Sequence, residues 1–218
     1  MKCKYCHQIN TIKKGKRNNL QRYYCKECKR CFQNNYLYKA YQLNTNDLIK
    51  SLLKEGCGIR SISRIIGIST KLILSRMLKI SRTIKSPYFI KLGCKFEVDE
   101  MWSYLGSKEN VTWITYALER ETKTIIDFFV GRKTTENIKP LINKLLLLHP
   151  KRIYTDRLNI YPSIIPKEIH KRFQYCTNII ERYNLTLRTH IKRLSRKTIC
   201  FSKNKIYLEA HLRIYFWG

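Results

Sequence analysis

Acidic side chains are scarce in this sequence. Its 218 residues include 15 Asp and Glu against 44 Lys and Arg, a formal net charge of +29. A surface this positive excludes indifference to polyanions, because cationic side chains bind nucleic acid through counterion release. The charge runs from end to end, so it is not one basic tail. Long apolar runs are missing too. The longest pure leucine run is Leu145 to Leu148, far too short to span a bilayer. The first residues, Met1-Lys2-Cys3-Lys4-Tyr5-Cys6, contain no apolar signal region, so an intracellular protein is expected. A membrane-surface protein fits less well, since no long amphipathic basic helix stands alone. No internal repeat and no low-complexity segment is visible. Hydrophobic content of 44% and aromatic content of 12% argue against disorder. Nine cysteines in a reducing compartment are expected as thiols or metal ligands rather than disulfides.

Three zones follow one another. Residues 1–40 are rich in Cys and Lys, ending near Lys39. A short helical zone, 41–85, begins near Leu43. A break at Ser86-Pro87 precedes a longer zone, 95–218, able to hold a medium core. Within it, Phe96 and Val98 alternate with Glu97 and Asp99 at the period of a strand. Val111 to Leu118 and Thr124 to Val130 are rich in β-branched and aromatic residues. Ile138, Leu141, Ile142, Leu145, Leu146 and Leu148 fit a helix, with Pro140 at its start or in its first turn and His149-Pro150 at its end. Ile153 to Thr155 reads as a short buried strand. This succession predicts an α/β layered fold.

Cys3-x2-Cys6 and Cys25-x2-Cys28 lie eighteen residues apart. Two such pairs close a tetrahedral thiolate site, so Zn²⁺ is expected on Cys3, Cys6, Cys25 and Cys28. Cys31 also has ligand spacing from Cys28 and is taken as a spare. Cys57, Cys94, Cys176 and Cys200 are isolated.

Ile59 to Thr70 has a helix-turn-helix rhythm. Ile62, Ile65 and Ile66 form an apolar stripe, Gly67 suits a turn needing positive φ, and Ser69 can cap a second helix from Thr70 to about Ile80. With Leu72, Ile73, Met77 and Leu78 facing inward, Lys71, Ser75, Arg76 and Lys79 would face a DNA major groove. An ordinary helical hairpin is the plain alternative.

Against this basic background, Asp99, Asp156 and Glu181 need a reason. Carboxylates gathered in a phosphate-binding protein suit Mg²⁺ or Mn²⁺, which lets such a protein act on phosphodiesters. Glu181 opens a basic helix whose buried stripe would be Ile180, Tyr183, Leu187, Ile191 and Leu194. Arg188 lies on the same face two turns on. Lys192, Arg193, Arg196, Lys197, Lys203 and Lys205 follow as a surface for gripping the DNA backbone. Glu97 and Glu100 are rival acids, with the period of two placing Glu97 on the Asp99 face and Glu100 on the other.

At these residues the chain resembles the insertion-sequence-one family of bacterial transposases. Val98-Asp99-Glu100-Met101-Trp102 with Tyr104-Leu105-Gly106 resembles its first catalytic block, and Tyr154-Thr155-Asp156 its second. Thr177 to Leu185, Leu187-Arg188, Leu194 to Lys197 and Phe201-Ser202-Lys203 resemble its third. The cysteine pairs and the segment from Gly58 to Leu78 resemble its N-terminal part. The resemblance implies a ribonuclease-H-like catalytic fold, a mixed sheet flanked by helices, preceded by a zinc ribbon and a helix-turn-helix. It implies an Asp99–Asp156–Glu181 metal triad with Arg188 beside it. It further implies cleavage at inverted repeats and strand transfer by a homodimer or larger assembly in the cytoplasm, at the bacterial nucleoid. One departure stands out: Arg157 follows the second Asp, where well-known members carry Gly. A non-enzymatic DNA-binding repressor or architectural protein is the alternative; it accounts for the charge but not for the acids.

Overall fold

The computed structural model describes residues 1–34, 38, 40, 42, 44–88, 91–173 and 176–218; the expected zone edges at Lys39 and Leu43 lie outside them. The chain begins with a small antiparallel sheet of β1 (Thr11–Arg17), β2 (Leu20–Cys25) and β3 (Cys31–Gln33). Its core is tiny: Cys3, Cys25 and Phe32 are buried, with Cys6, Tyr23 and Cys28 against them.

Three helices follow: α1 (Thr45–Lys54), α2 (Ile59–Ile66) and α3 (Thr70–Thr83). Gly67 stops α2 with φ 73°, a left-handed turn that glycine adopts without strain. The Ser69 hydroxyl then caps α3 by accepting the Leu72 N–H at 3.3 Å. Ile62, Ile66, Ile73 and Met77 are buried together. Ile65, expected in the inward stripe, is 58% exposed instead. One position per turn suffices in so short a helix, and Ile65 falls on the outer side. α3 runs one turn beyond the expected end near Ile80 because Ile80 and Ser81 are still buried against its neighbours.

The third zone carries β4 (Lys95–Leu105), β5 (Ser107–Glu119), β6 (Ile125–Gly131), α4 (Thr135–Leu146), β7 (Arg152–Thr155), β8 (His170–Lys171), α5 (Asn178–His190) and α6 (Lys205–Trp217). The sheet order is β6-β5-β4-β7-β8. β4, β5 and β6 form an antiparallel meander, and β7 and β8 add in parallel to β4. This is a mixed five-stranded α/β sheet flanked by helices, as expected. α4 covers one face with Ile138, Ile142 and Leu145 on Phe96, Val98 and Ile153. α5 and α6 cover the other with Ile180, Leu187, Leu208 and Leu212 on Met101, Ile114 and Tyr116. Each such side chain, fully withdrawn from water, contributes about 1.5–3 kcal/mol.

Two local expectations are corrected. α4 starts at Thr135, capped by Thr134, so Pro140 lies past the first turn and inside the helix. The buried face that Ile138, Leu141 and Ile142 complete outweighs the lost backbone hydrogen bond. α5 ends at His190, and Leu194 reaches the core from a 3₁₀ turn, Lys192–Leu194, rather than from the same helix.

α6 joins the second and third zones. Leu208 and Leu212 belong to the sheet core, while Ala210 and Ile214 belong to the core of α1, α2 and α3. Further ties are Lys54 Nζ to the Gly218 carbonyl at 2.8 Å and Arg213 Nη1 to the Ile84 carbonyl at 3.3 Å. At Gly56 the turn after α1 presses on the end of α5. Its φ is +75°, and a Cβ there would lie 2.2 Å from the His190 carbonyl oxygen. Gly56→Ala is therefore expected to destabilise the protein by about 3 kcal/mol or more, read from urea unfolding. A loss below about 1 kcal/mol would mean that this junction gives way easily.

Candidate active site and thiol cluster

Strand register brings two distant acids together. In the parallel pair, Phe96 lies opposite Ile153 and Val98 opposite Thr155. One residue further along both strands come Asp99 and Asp156. They occupy equivalent positions on adjacent strands, which are about 4.8 Å apart. Oxygens of Asp99, Asp156 and Glu100 all lie within 4.8 Å of one another. Asp156 also closes its own turn, Oδ1 accepting the Leu158 N–H at 2.9 Å.

Asp99 points toward α5. Its Oδ2 accepts from Asn184 Nδ2 at 2.7 Å, and the Asn184 carbonyl oxygen accepts from the Tyr116 hydroxyl at 2.8 Å. Burial pushes the Asp99 carboxyl up to about 6, with the charges of Asp156 and Glu181 adding to the rise and the Glu100 N–H and Asn184 pulling it back. Burial likewise pushes Glu100 up to about 7, against the hydrogen bond from Tyr161. Glu181 stands in the first turn of α5, exposed, its Oε1 accepting from the Thr177 hydroxyl at 2.8 Å. It lies outside the 4.8 Å group of acids but one turn before Asn184, and its charge is felt at Asp99.

Glu181, Asn184, Arg188, Lys192 and Arg196 line one open groove of about 630 Å³. Arg188 does not point freely into it. Its guanidinium donates to the Leu194 carbonyl at 2.9 Å and the Trp102 carbonyl at 3.0 Å, bracing the groove wall. Lys192, Arg196 and Lys197 are exposed. Arg193, read as facing DNA, turns inward instead and donates to Ser202 Oγ at 3.0 Å. On α3, Lys71, Ser75 and Lys79 are exposed. Arg76 is not available in the same way: it holds Asn46 Oδ1 at 2.6 Å and the Ala40 carbonyl, fastening the first turn of α1 and the chain before it. Arg157 is exposed and forms no ion pair with Asp156 among the described residues.

The rival acids part ways. Glu97 is wholly buried and structural: Oε1 pairs with Arg120 Nε at 2.7 Å, and Oε2 accepts the Ile180 N–H at 2.8 Å, anchoring the start of α5. Glu100, set on the other face by the period of two, still brings its carboxylate into the acid group. Sequence reasoning names it only as a rival acid, placed on the face away from Asp99. Asn184, Tyr116 and Tyr161 had no signal, since each acts through a partner more than sixty residues away.

Cys3, Cys6, Cys25 and Cys28 also form one group. Sγ of Cys3 and Cys28 are 3.5 Å apart, as are those of Cys6 and Cys25. The two Cys-x2-Cys segments, Cys3 to Cys6 and Cys25 to Cys28, form turns of the same kind. The Cys3 N–H reaches the Gln8 carbonyl at 2.8 Å, and the Cys25 N–H reaches the Arg30 carbonyl at 3.0 Å. His7 and Lys29, each following the second Cys of its pair, both take positive φ. Burial pushes the Cys28 thiol up to about 12, and its contacts with Cys3, Cys6 and Cys25 add to the rise. Cys31 is exposed and outside the group.

Asp99, in the middle of β4, and Asp156, just past the end of β7, thus face an acid-bearing helix, α5. Residues 92–215 match the family model described as IS1 transposase. The chain belongs to the IS1 transposase family. Insertion element iso-IS1n protein InsB of Shigella dysenteriae is 38% identical over 118 residues, 54% of this chain and 88% of the relative. Insertion element IS1 4 protein InsB of Escherichia coli (strain K12) is 36% identical over 118 residues, 54% of this chain and 69% of the relative. A chain of a simian T-cell lymphotropic virus intasome, solved by cryo-EM in complex with PP2A regulatory subunit B56 gamma, overlays loosely. The TM-score is 0.37 at 14% identity, covering 75% of this chain and 66% of that one. No helix among the described residues is long and apolar enough to cross a membrane.

Proposed function

We propose that this chain binds the terminal inverted repeats of its insertion sequence and carries out divalent-metal-dependent end cleavage followed by strand transfer. The observation that carries the reading is the parallel register of β4 and β7, which sets Asp99 beside Asp156. Hard oxygen donors suit Mg²⁺ or Mn²⁺. Among the described residues the ion pair to this group comes from Lys133, 3.6 Å from Glu100, which leaves most of its negative charge unanswered. A divalent cation there supplies Lewis acidity and a more acidic water. Asp99 and Asp156 would hold it, with Glu181 approaching from α5. Asn184 fixes the Asp99 carboxylate, and Tyr116 fixes Asn184. Lys192, Arg196 and Lys197 would receive DNA phosphates along the groove, while Arg188 keeps its wall in place.

The thiol group suits Zn²⁺. Sulfurs 3.5 Å apart approach the edge of about 3.8 Å that a tetrahedron with 2.3 Å Zn–S bonds requires. Residues 1–40 would then be a zinc ribbon and 41–85 a helix-turn-helix, reading DNA through Lys71, Ser75 and Lys79, ahead of a catalytic part at 95–218. Joining two ends calls for a dimer or larger assembly, acting on DNA in the cytoplasm.

The test is nicking of DNA that carries the element's ends. Mg²⁺-dependent nicking by wild type is expected, with a loss of about 10³-fold or more in Asp156→Ala and unchanged binding of the ends. Equal behaviour of the two proteins would make this a DNA-binding repressor. Cleavage without joining would make it a plain nuclease.

A further inference from the structure

We infer that Glu100 is a third carboxylate of the cation site, so that in the DNA-free chain the cation is held by Asp99, Asp156 and Glu100 before Glu181 is engaged. This rests on the proposed reading of the acids as cation-binding.

Oxygens of Asp99, Glu100 and Asp156 lie within 4.8 Å of one another, while Glu181 falls outside the group and is held by Thr177. Glu100 is 8% exposed and deep in a site, not a solvated charge. A buried carboxylate needs its charge and lone pairs answered. Glu100 has the Tyr161 hydroxyl, donating to Oε1, and the Lys133 ammonium, 3.6 Å from Oε2 and too far for a direct hydrogen bond. Lys133 is itself drawn over the Trp113 ring, 4.2 Å from its centroid. Tyr161 is fully buried and packs edge-on against His170, so the hydroxyl that aims Glu100 does not swing away. The outcome is a fixed carboxylate with spare acceptor capacity, turned toward two others. Glu97, by contrast, has an arginine and a backbone N–H in direct contact and belongs to the fold.

The experiment is Mn²⁺ binding to the full-length, DNA-free chain, followed by the electron paramagnetic resonance of free Mn²⁺. Mn²⁺ favours oxygen donors over the thiol group. Asp156→Asn and Glu100→Gln are each expected to weaken binding about tenfold or more, and Glu181→Gln by less than about threefold. Lys133→Met is expected to tighten binding by about threefold, because it removes the ammonium that competes for Glu100. This opposite sign guards against a Glu100→Gln protein that simply folds poorly. If Asp156→Asn weakens binding but Glu100→Gln and Lys133→Met leave it unchanged, Glu100 is only a core acid and the proposed function stands. If Asp156→Asn also leaves binding unchanged, the inference and the metal-site reading fall together.

Discussion

Asp99→Asn is expected to stabilise the metal-free protein and to abolish DNA cleavage. Burial holds the Asp99 carboxyl at about 6 rather than at its ordinary 3.8, with Asp156 and Glu181 adding repulsion. That rise corresponds to about 3 kcal/mol, and about 2 kcal/mol after allowing for the part of the side chain that water still reaches. The sign follows from the protons. Between 3.8 and about 6 the folded chain keeps a proton that the unfolded chain has released. The carboxyl's favourable contribution is therefore intact below 3.8, shrinks as pH rises through that window, and is gone above about 6. Asparagine has no such titration and still accepts the hydrogen bond from Asn184 through its carbonyl oxygen. The stability gap between variant and wild type should accordingly open between about pH 4 and 6 and stay level to about pH 8. It is read from urea unfolding in Mg²⁺-free buffer without chelator, which leaves the thiol group undisturbed. Adding Mg²⁺ at about pH 8 should raise the wild-type midpoint and raise that of the variant by less. Cleavage should fall by about 10³-fold or more, since an amide cannot hold the charge that the reaction needs. If Asp99→Asn instead lowers stability at about pH 8, the acids are already balanced within the fold and need no cation.

The local features of this chain were open to sequence reading because each is set by near neighbours. Gly67 and Ser69 act within a few residues of themselves, as do the members of each thiol pair. The alternation of Phe96, Val98 and Asp99 is a property of one strand. The acid site depends on a parallel pairing between strands far apart in the chain, which periodicity does not encode. Charge gave least guidance. Arg76 and Arg193 look like their basic neighbours in sequence, yet both are turned to partners inside the fold. Face counting puts Glu100 away from Asp99, yet its carboxylate still joins the acid group, a juxtaposition that strand periodicity does not encode. Lys205 closes the basic run read from the sequence, and it opens the segment that runs to Trp217. That segment is a helix apolar nearly all round, because it fills two cores at once. The basic residues that precede and open it hid that pattern.

Removing the metal proposed for Cys3, Cys6, Cys25 and Cys28 is expected to unfold the N-terminal sheet and leave the rest of the chain standing. That sheet has little else to hold it. β1 is exposed along almost its whole length, and of the three buried hydrophobic residues two are the ligands Cys3 and Cys25 themselves. Structural Zn²⁺ contributes about 10–16 kcal/mol to domains of this kind, well above what one buried phenylalanine supplies. The basic residues Lys13, Lys14, Lys16 and Arg17 crowd β1 with like charge, which opposes folding further. The core shared by α3 and α6 contains none of the four cysteines, so helical circular dichroism should survive chelation. Thiol labelling reads the rest. In the untreated protein Cys31 and Cys200, which are exposed, should react fast, and Cys94 and Cys176, which are buried, slowly. Chelator should add Cys3, Cys6, Cys25 and Cys28 to the fast class and leave Cys94 and Cys176 where they were. Cys25→Ser should mimic chelation without any chelator, whereas Cys31→Ser should change only the loss of one fast thiol. Should all four cysteines label at the same rate with and without chelator, the sheet is held by something other than a metal, and the ribbon reading of residues 1–40 fails.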